Sequence, residues 1–284
     1  MLSLGRSRQT GGAAYRGLFQ WMKQMTLDSK ALSAVEGAAE QYMAAQGVLM
    51  SAVAKLGSTV DGTLNLLPET IRSSLHDTLR SALDQAFKVA ILNMDDETGK
   101  EASKGLYKLL GAATGAAGGF FGAPGILAEL PVTTTAILRS IADVARSKGA
   151  DLKDPAVQLA CLQVFALGGP LDDDDEADAL FVASRVGANI AAPKMAEMIT
   201  KIASRFAITL SPKIVAQSVP IAGAVAGAGL NLTYMSFYQT MAAVMFTLRP
   251  IEAEFGREAT RQSFLDAVGA ARAKKVTGKK GVFP

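Results

Sequence analysis

The sequence predicts an all-α fold: a helical bundle with two Gly/Ala-rich helical hairpin segments long enough to enter a bilayer. Three observations predict it. No stretch keeps the two-residue alternation of a half-buried strand, whereas apolar residues recur at three- and four-residue spacing in long segments. The chain is unusually apolar, with 49% hydrophobic and only 19% charged residues among 284, against a usual charged share of about a quarter. And two stretches, 109–128 and 214–248, carry no charge at all.

Taken in order, residues 1–27 form a basic segment with Arg6, Arg8, Arg16 and Lys23 and no acid. Residues 30–56, rich in Ala, Gln, Met and Leu, read as a helix. In the next helix Ile71, Leu75, Leu79, Leu83 and Phe87 recur every fourth residue and mark one buried face, with Pro68 suited to the first turn. Asp95, Asp96 and Gly99 break it. Pro131 suits the first turn of a helix over 132–148. Asp154–Pro155 is an N-cap followed by proline, and that helix stops at Gly168–Gly169–Pro170. Ser211–Pro212 repeats the start signal. A last amphipathic helix over 248–273 leads into a tail with Arg272, Lys274, Lys275, Lys279 and Lys280. The organisation is a basic segment at 1–27, one helical domain at 28–266 and a basic tail at 267–284.

The uncharged stretches combine length with small residues. Each passes the length of a bilayer span, about 20 residues. Gly111, Gly115 and Gly119 are four apart, as are Gly118 with Gly122 and Gly223 with Gly227. Such spacing clears a groove for a second backbone, at a helix-propensity cost of about 1 kcal/mol per glycine. Gly111, Gly115, Gly119, Gly122, Gly223 and Gly227 are therefore the candidate helix-packing positions. Pro124, Pro131 and Pro220 interrupt the stretches, and Gln217, Asn231, Tyr234, Tyr238 and Gln239 make the second polar for a lipid-facing helix. Core hairpins and membrane-entering hairpins both remain open.

Behind the first glycines comes a compact polar group. Thr133, Thr134 and Thr135 fall where first-turn N–H groups are free, and Glu129 precedes them where the helix dipole favours an anion. Thr135, Arg139, Asp143 and Arg146 share a stripe, so Asp143 can pair with either arginine. Capping plus a salt-bridged face accounts for these residues. A polar site beside an apolar wall, taking an anionic headgroup or a partner peptide, is the functional alternative.

These residues carry a family resemblance. "GILAELPVTTTAILRSIADVARSKGADLKDPAVQLACLQVFALGG" resembles the hallmark segment of the EcsC protein family, and "VPIAGAVAGAGLNLTYMSFYQTMAAVMFTLRPIEAEFG" is similar to its later glycine-rich segment, over roughly residues 65–257 in all. Two positions depart from the pattern: Met245 stands where a histidine usually precedes the Phe, and Phe181 stands near a Tyr position. The resemblance implies a bacterial protein whose founding relative is encoded beside an ABC transporter, hence an envelope or transport setting. It implies no defined reaction, although a peptidase-like reading accompanies it.

The residues argue against that reading. His76, the one histidine, sits on an amphipathic helix, so a two-histidine metal helix is impossible. Cys161, the one cysteine, lies in an apolar run and reads as a core residue. No GxSxG elbow, P-loop or dinucleotide fingerprint occurs. The acids at 172–176 are adjacent rather than spaced as in a calcium loop. No catalytic residue, metal or cofactor is expected.

The basic ends suit anionic lipid headgroups and lack the interleaved aromatics of single-strand nucleic-acid binders. The expectation is a non-enzymatic protein that binds lipid or a membrane-protein partner, with Glu129, Thr133, Thr134, Arg139, Asp143 and Asn231 as candidate contacts. No nucleic acid is expected, and a homo-oligomer is compatible. With no secretory signal at the N-terminus, the expected location is the cytoplasmic side of the inner membrane, peripheral or re-entrant. A soluble helical interaction module is the alternative, and a hydrolase the least favoured.

Overall fold

The computed structural model describes residues 27–55, 69–90, 101–120, 122–167, 197, 199–203 and 220–280. These residues are helical, with short connections and no strand. The helices are α1 (Ser29–Lys55), α2 (Glu69–Ala90), α3 (Lys104–Phe120), α4 (Gly122–Ser147), α5 (Pro155–Ala166), α6 (Pro220–Phe255) and α7 (Arg257–Lys280). A short turn of helix at 199–203 adds Ile199, Ile202 and Ala203 to the core.

Local signals explain several ends. The Asp28 carboxylate accepts the Ala31 N–H at 2.7 Å and caps α1. Asp154 accepts the Ala156 N–H at 2.8 Å, with Pro155 at the first position of α5. On α2, Leu79 and Leu83 are buried and Phe87 packs beside them. The side-chain surroundings of Ile71, Leu75 and His76 on α2 lie outside what is described, and Pro68, the 172–176 acids, Phe181 and Ser211–Pro212 lie outside the described residues.

Helix α6 is the hub: it packs on α1, α3, α4, α5 and α7, and α4 packs on α2, α3, α5 and α6. Two aromatic pairs tie the layers. Tyr42 of α1 meets Phe264 of α7 edge-on at 5.7 Å, and Phe165 of α5 stacks on Tyr238 of α6 at 5.1 Å. The core runs through Leu138, Ile141 and Ala145 of α4, Leu162 and Val164 of α5, and Met235, Met241 and Val244 of α6.

Three expectations about helix limits are corrected. Pro131 lies inside α4, which begins nine residues earlier, at Gly122. A proline costs a helix about 3 kcal/mol. Here burial of Leu130, Ile137, Leu138 and Ile141 along one continuous face outweighs that cost. The Thr135 hydroxyl donates to the Pro131 carbonyl at 2.7 Å. Thr133, Thr134 and Thr135 are thus mid-helix, and the free first-turn N–H groups that sequence position suggested do not exist there.

The 248–273 helix is two helices, parted at Gly256, whose φ of 86° is the left-handed conformation that ends α6. The second Gly-rich stretch, through its described part, forms most of the single 36-residue helix α6 rather than a hairpin. The first stretch does form two successive packed helices, α3 and α4. Among the described residues no helix is long and apolar enough to cross a membrane.

Candidate functional site

Helix α3 lies in the groove between α4 and α6, and polar contacts line that groove from end to end. At the C-terminal half of α3, Thr114 meets Thr133 of α4, hydroxyl to hydroxyl, at 3.2 Å. The Thr133 hydroxyl donates to the Glu129 carboxyl at 2.8 Å, and the Asn231 side-chain amide of α6 donates to the same Glu129 oxygen. That amide also lies 3.4 Å from the Thr114 hydroxyl and 3.5 Å from that of Thr133. Further along, the Gln239 amide donates to the Ser140 hydroxyl at 2.9 Å and to the Lys104 carbonyl at 3.0 Å. At the N-terminal end the Ser103 N–H donates to Asp143 at 2.6 Å. Asp143 thereby caps α3 from a neighbouring helix. Its second oxygen takes the Arg146 guanidinium, and both residues are buried.

Close backbone approach accompanies these bonds. A Cβ added at Gly111 would stand 3.5 Å from the Asn231 carbonyl and 3.6–3.7 Å from Met235. Gly115 is buried on the same face. The surroundings of Gly119, Gly122, Gly223 and Gly227 lie outside what is described.

The structure brings Glu129, Thr133 and Asn231 together, places Asp143 about three turns away along α4, and sets Thr134 and Arg139 apart from both. Thr134 is buried, and its hydroxyl has no hydrogen-bond partner among the described residues. Arg139 is half-buried, with its guanidinium on the Tyr107 hydroxyl. Of the two arginines open to Asp143, the ion pair forms with Arg146. Burial, then the Asp143 charge, raises the Tyr107 hydroxyl above its ordinary value, while Arg139 pulls it back. Sequence reasoning missed Thr114, Ser140, Ser103 and Tyr107. A polar side chain inside an apolar helical run was the signal for Thr114 and Ser140, and nothing local marked Ser103.

The outer surface of this three-helix layer has the opposite character. Leu106 is 56% exposed, Leu109 67% and Leu110 43% on α3. Ala113 and Ala117 continue the stripe. Val132, 55% exposed, adjoins Thr133, and exposed Leu232 adjoins Asn231, so both flank α3.

Elsewhere, burial pushes the Cys161 thiol up to about 12 despite Arg249, which favours the inert thiol over the thiolate. Among the described residues no group of three or more His, Cys, Asp or Glu gathers as a metal site.

No curated protein matches this chain. No solved structure does so either. The hallmark residues lie at the centre of the layer just described: Glu129 and Thr133 on α4, Asn231 on α6, and the buried Cys161 helix behind them. The family profile that matches, across residues 13–251, is that of the EcsC protein family, to which this chain belongs.

Proposed function

We propose that this protein is a non-enzymatic, peripheral membrane-associated protein that rests the outer face of α3 on a bilayer or on a membrane-embedded partner, in an envelope or transport process. One observation carries the reading: α3 is patterned inside out. Its inward side is Gly111, Gly115, Thr114 and Tyr107, and its outward side is Leu106, Leu109, Leu110, Ala113 and Ala117. A water-facing surface helix shows the reverse. Small and polar residues inward with leucines outward is the arrangement of helices that meet lipid. At 17 residues, α3 is about 25 Å long, which suits a helix lying in the interface.

The test is vesicle co-sedimentation of the full chain against the double variant Leu106→Glu, Leu109→Glu. Both side chains are largely exposed, so circular dichroism and melting should stay as in the wild type. Burying two leucines contributes about 3 kcal/mol, so vesicle binding should fall roughly 100-fold. If the wild type stays in the supernatant with every vesicle tested, or if both proteins pellet alike, the membrane reading is lost. In the first case a soluble partner-binding module takes its place.

A further inference from the structure

Beyond contact with a membrane, we infer that in water the outer face of α3 is closed by a second copy of this chain, α3 running antiparallel on α3 across a two-fold axis. The face is spaced for it. Leu106, Leu110, Ala113 and Ala117 are all exposed and stand four, three and four residues apart, which is the a/d seam of a two-helix coil. Leu109 borders the seam, and exposed Val132 of α4 and Leu232 of α6 flank it. Gly111 and Gly115 are buried on the opposite side. Helix α3 is thus seated by one face and offers the other.

Size along the seam selects the partner. Its first half is leucine and its second half alanine. In an antiparallel pair the a and d positions of one helix meet the d and a positions of the other. Leu110 then faces the second copy's Ala113, and Leu106 faces the second copy's Ala117. Two-fold symmetry repeats both pairs, so every layer of the seam holds one leucine and one alanine, and each leucine fills the space left by its small opposite. Parallel pairing would set leucine on leucine at one end and alanine on alanine at the other, crowding the first and leaving the second unfilled. The stripe is therefore complementary to itself in the isologous geometry of a two-fold dimer. Charge agrees with that direction. Lys104 and Lys108 both precede Leu109, so antiparallel packing carries the lysines of the two copies towards opposite ends, whereas parallel packing would set them level.

The area is that of a reversible dimer. Leu106, Leu109, Leu110, Val132 and Leu232 are exposed by 42–67%. With the two alanines they offer roughly 500 Å² per copy, hence about 1,000 Å² for the pair, the lower bound of a specific interface. Such a dimer parts on dilution, or when another apolar surface takes the same face.

The test is sedimentation equilibrium of the full chain, 29.6 kDa, in buffer without lipid or detergent. The wild type should run as a monomer–dimer mixture. Each exchange on the seam acts twice in the dimer. Leu110→Ala should weaken association roughly 100-fold, and Ala113→Leu at least about tenfold by setting leucine on leucine. The double variant Leu110→Ala, Ala113→Leu returns one leucine and one alanine to each of those layers and should dimerise within about threefold of the wild type. The double variant Leu106→Ala, Ala117→Leu is the same exchange one layer out and should also dimerise. All four positions are exposed, so circular dichroism should stay as in the wild type.

A wild type that remains monomeric to about 100 μM overturns the inference. So does a dimer that both single variants leave intact, or a pair of double variants as weak as the single ones. Vesicle binding is read separately. Ala113→Leu adds an outward leucine, so the membrane reading expects it to bind vesicles at least as tightly as the wild type while the dimer is lost. No vesicle binding by any variant, with the double variants still rescuing the dimer, removes the membrane reading and leaves the dimer standing.

Discussion

The contact between Glu129 and Asn231 can be tested as a double-mutant cycle. The Glu129 carboxyl accepts from the Asn231 amide and from the Thr133 hydroxyl, and all three residues are buried. A hydrogen bond to a charged group contributes about 1.5–3 kcal/mol, and a buried acceptor that loses its donor adds a desolvation cost. Asn231→Leu should therefore cost about 3 kcal/mol. Glu129→Leu should cost about 2 kcal/mol, because the Asn231 amide stays near the Thr114 and Thr133 hydroxyls. Independent sites would sum to about 5 kcal/mol in the double variant. With both ends replaced by apolar groups of similar shape, the expected loss is only about 2–3 kcal/mol, a coupling of at least 2. Urea unfolding followed by far-UV circular dichroism measures all four corners, and melting should track them at about 2 °C per kcal/mol. If the double variant is additive within about 0.5 kcal/mol, Asn231 does not act on Glu129, and the seam is not what holds α3 in place.

Gly111→Ala should be neutral or stabilising by up to about 1 kcal/mol, because its Cβ meets Asn231 and Met235 at ordinary contact distance while helix propensity improves. Gly111→Val, by contrast, should lose about 1–3 kcal/mol by forcing α6 away; chemical denaturation separates the two. The Tyr238 hydroxyl is buried with no hydrogen-bond partner among the described residues, so Tyr238→Phe should hold or raise stability. Burial raises Tyr238 and Tyr234 above an unfolded value of about 10. Stability is therefore whole below that pH and falls above it, by about 1.4 kcal/mol per pH unit for each tyrosine. Tyr238→Phe should reduce that slope in unfolding curves taken at about pH 10–11.5. Asp143→Ala should lose about 3–5 kcal/mol, since the buried Arg146 charge loses its carboxylate, and amide exchange should quicken at the start of α3.

What was legible in the sequence was local. The Asp154–Pro155 start, the Leu79–Leu83 face and the all-helical class each rest on residues within a turn or two of one another. What was not legible depended on partners far along the chain. Pro131 reads as a helix start because proline belongs there, and only the buried face of α4 on both sides of it overrides that rule. Gly256 stands alone between Gly229 and Gly269, and its left-handed φ belongs to the packed ends of α6 and α7 rather than to the local residue pattern. Glu129, Thr133 and Asn231 could be singled out as polar residues in apolar runs, but their meeting spans about a hundred residues. The sequence left the stretch from 109 open between core and membrane-entering hairpins, and in the structure the three leucines of the LYKLL run at 106–110 face outward.

That inversion bears on how α3 stays attached. An ordinary surface helix is held by apolar burial, and that driving force disappears when lipid replaces water around it. Helix α3 is held instead by Thr114 to Thr133, Gln239 to the Lys104 carbonyl and Ser103 to Asp143, together with glycine contact on the α6 backbone. In water each such bond contributes only about 1 kcal/mol net, because water competes for the same groups. Against an apolar phase that competition ends, and the bonds strengthen. The three exposed leucines, a liability of a few kcal/mol in water, become the favourable term. If α3 rests on a bilayer as proposed, a helix joined to its protein by hydrogen bonds and to its surroundings by leucines would thus be more firmly seated on the membrane than off it.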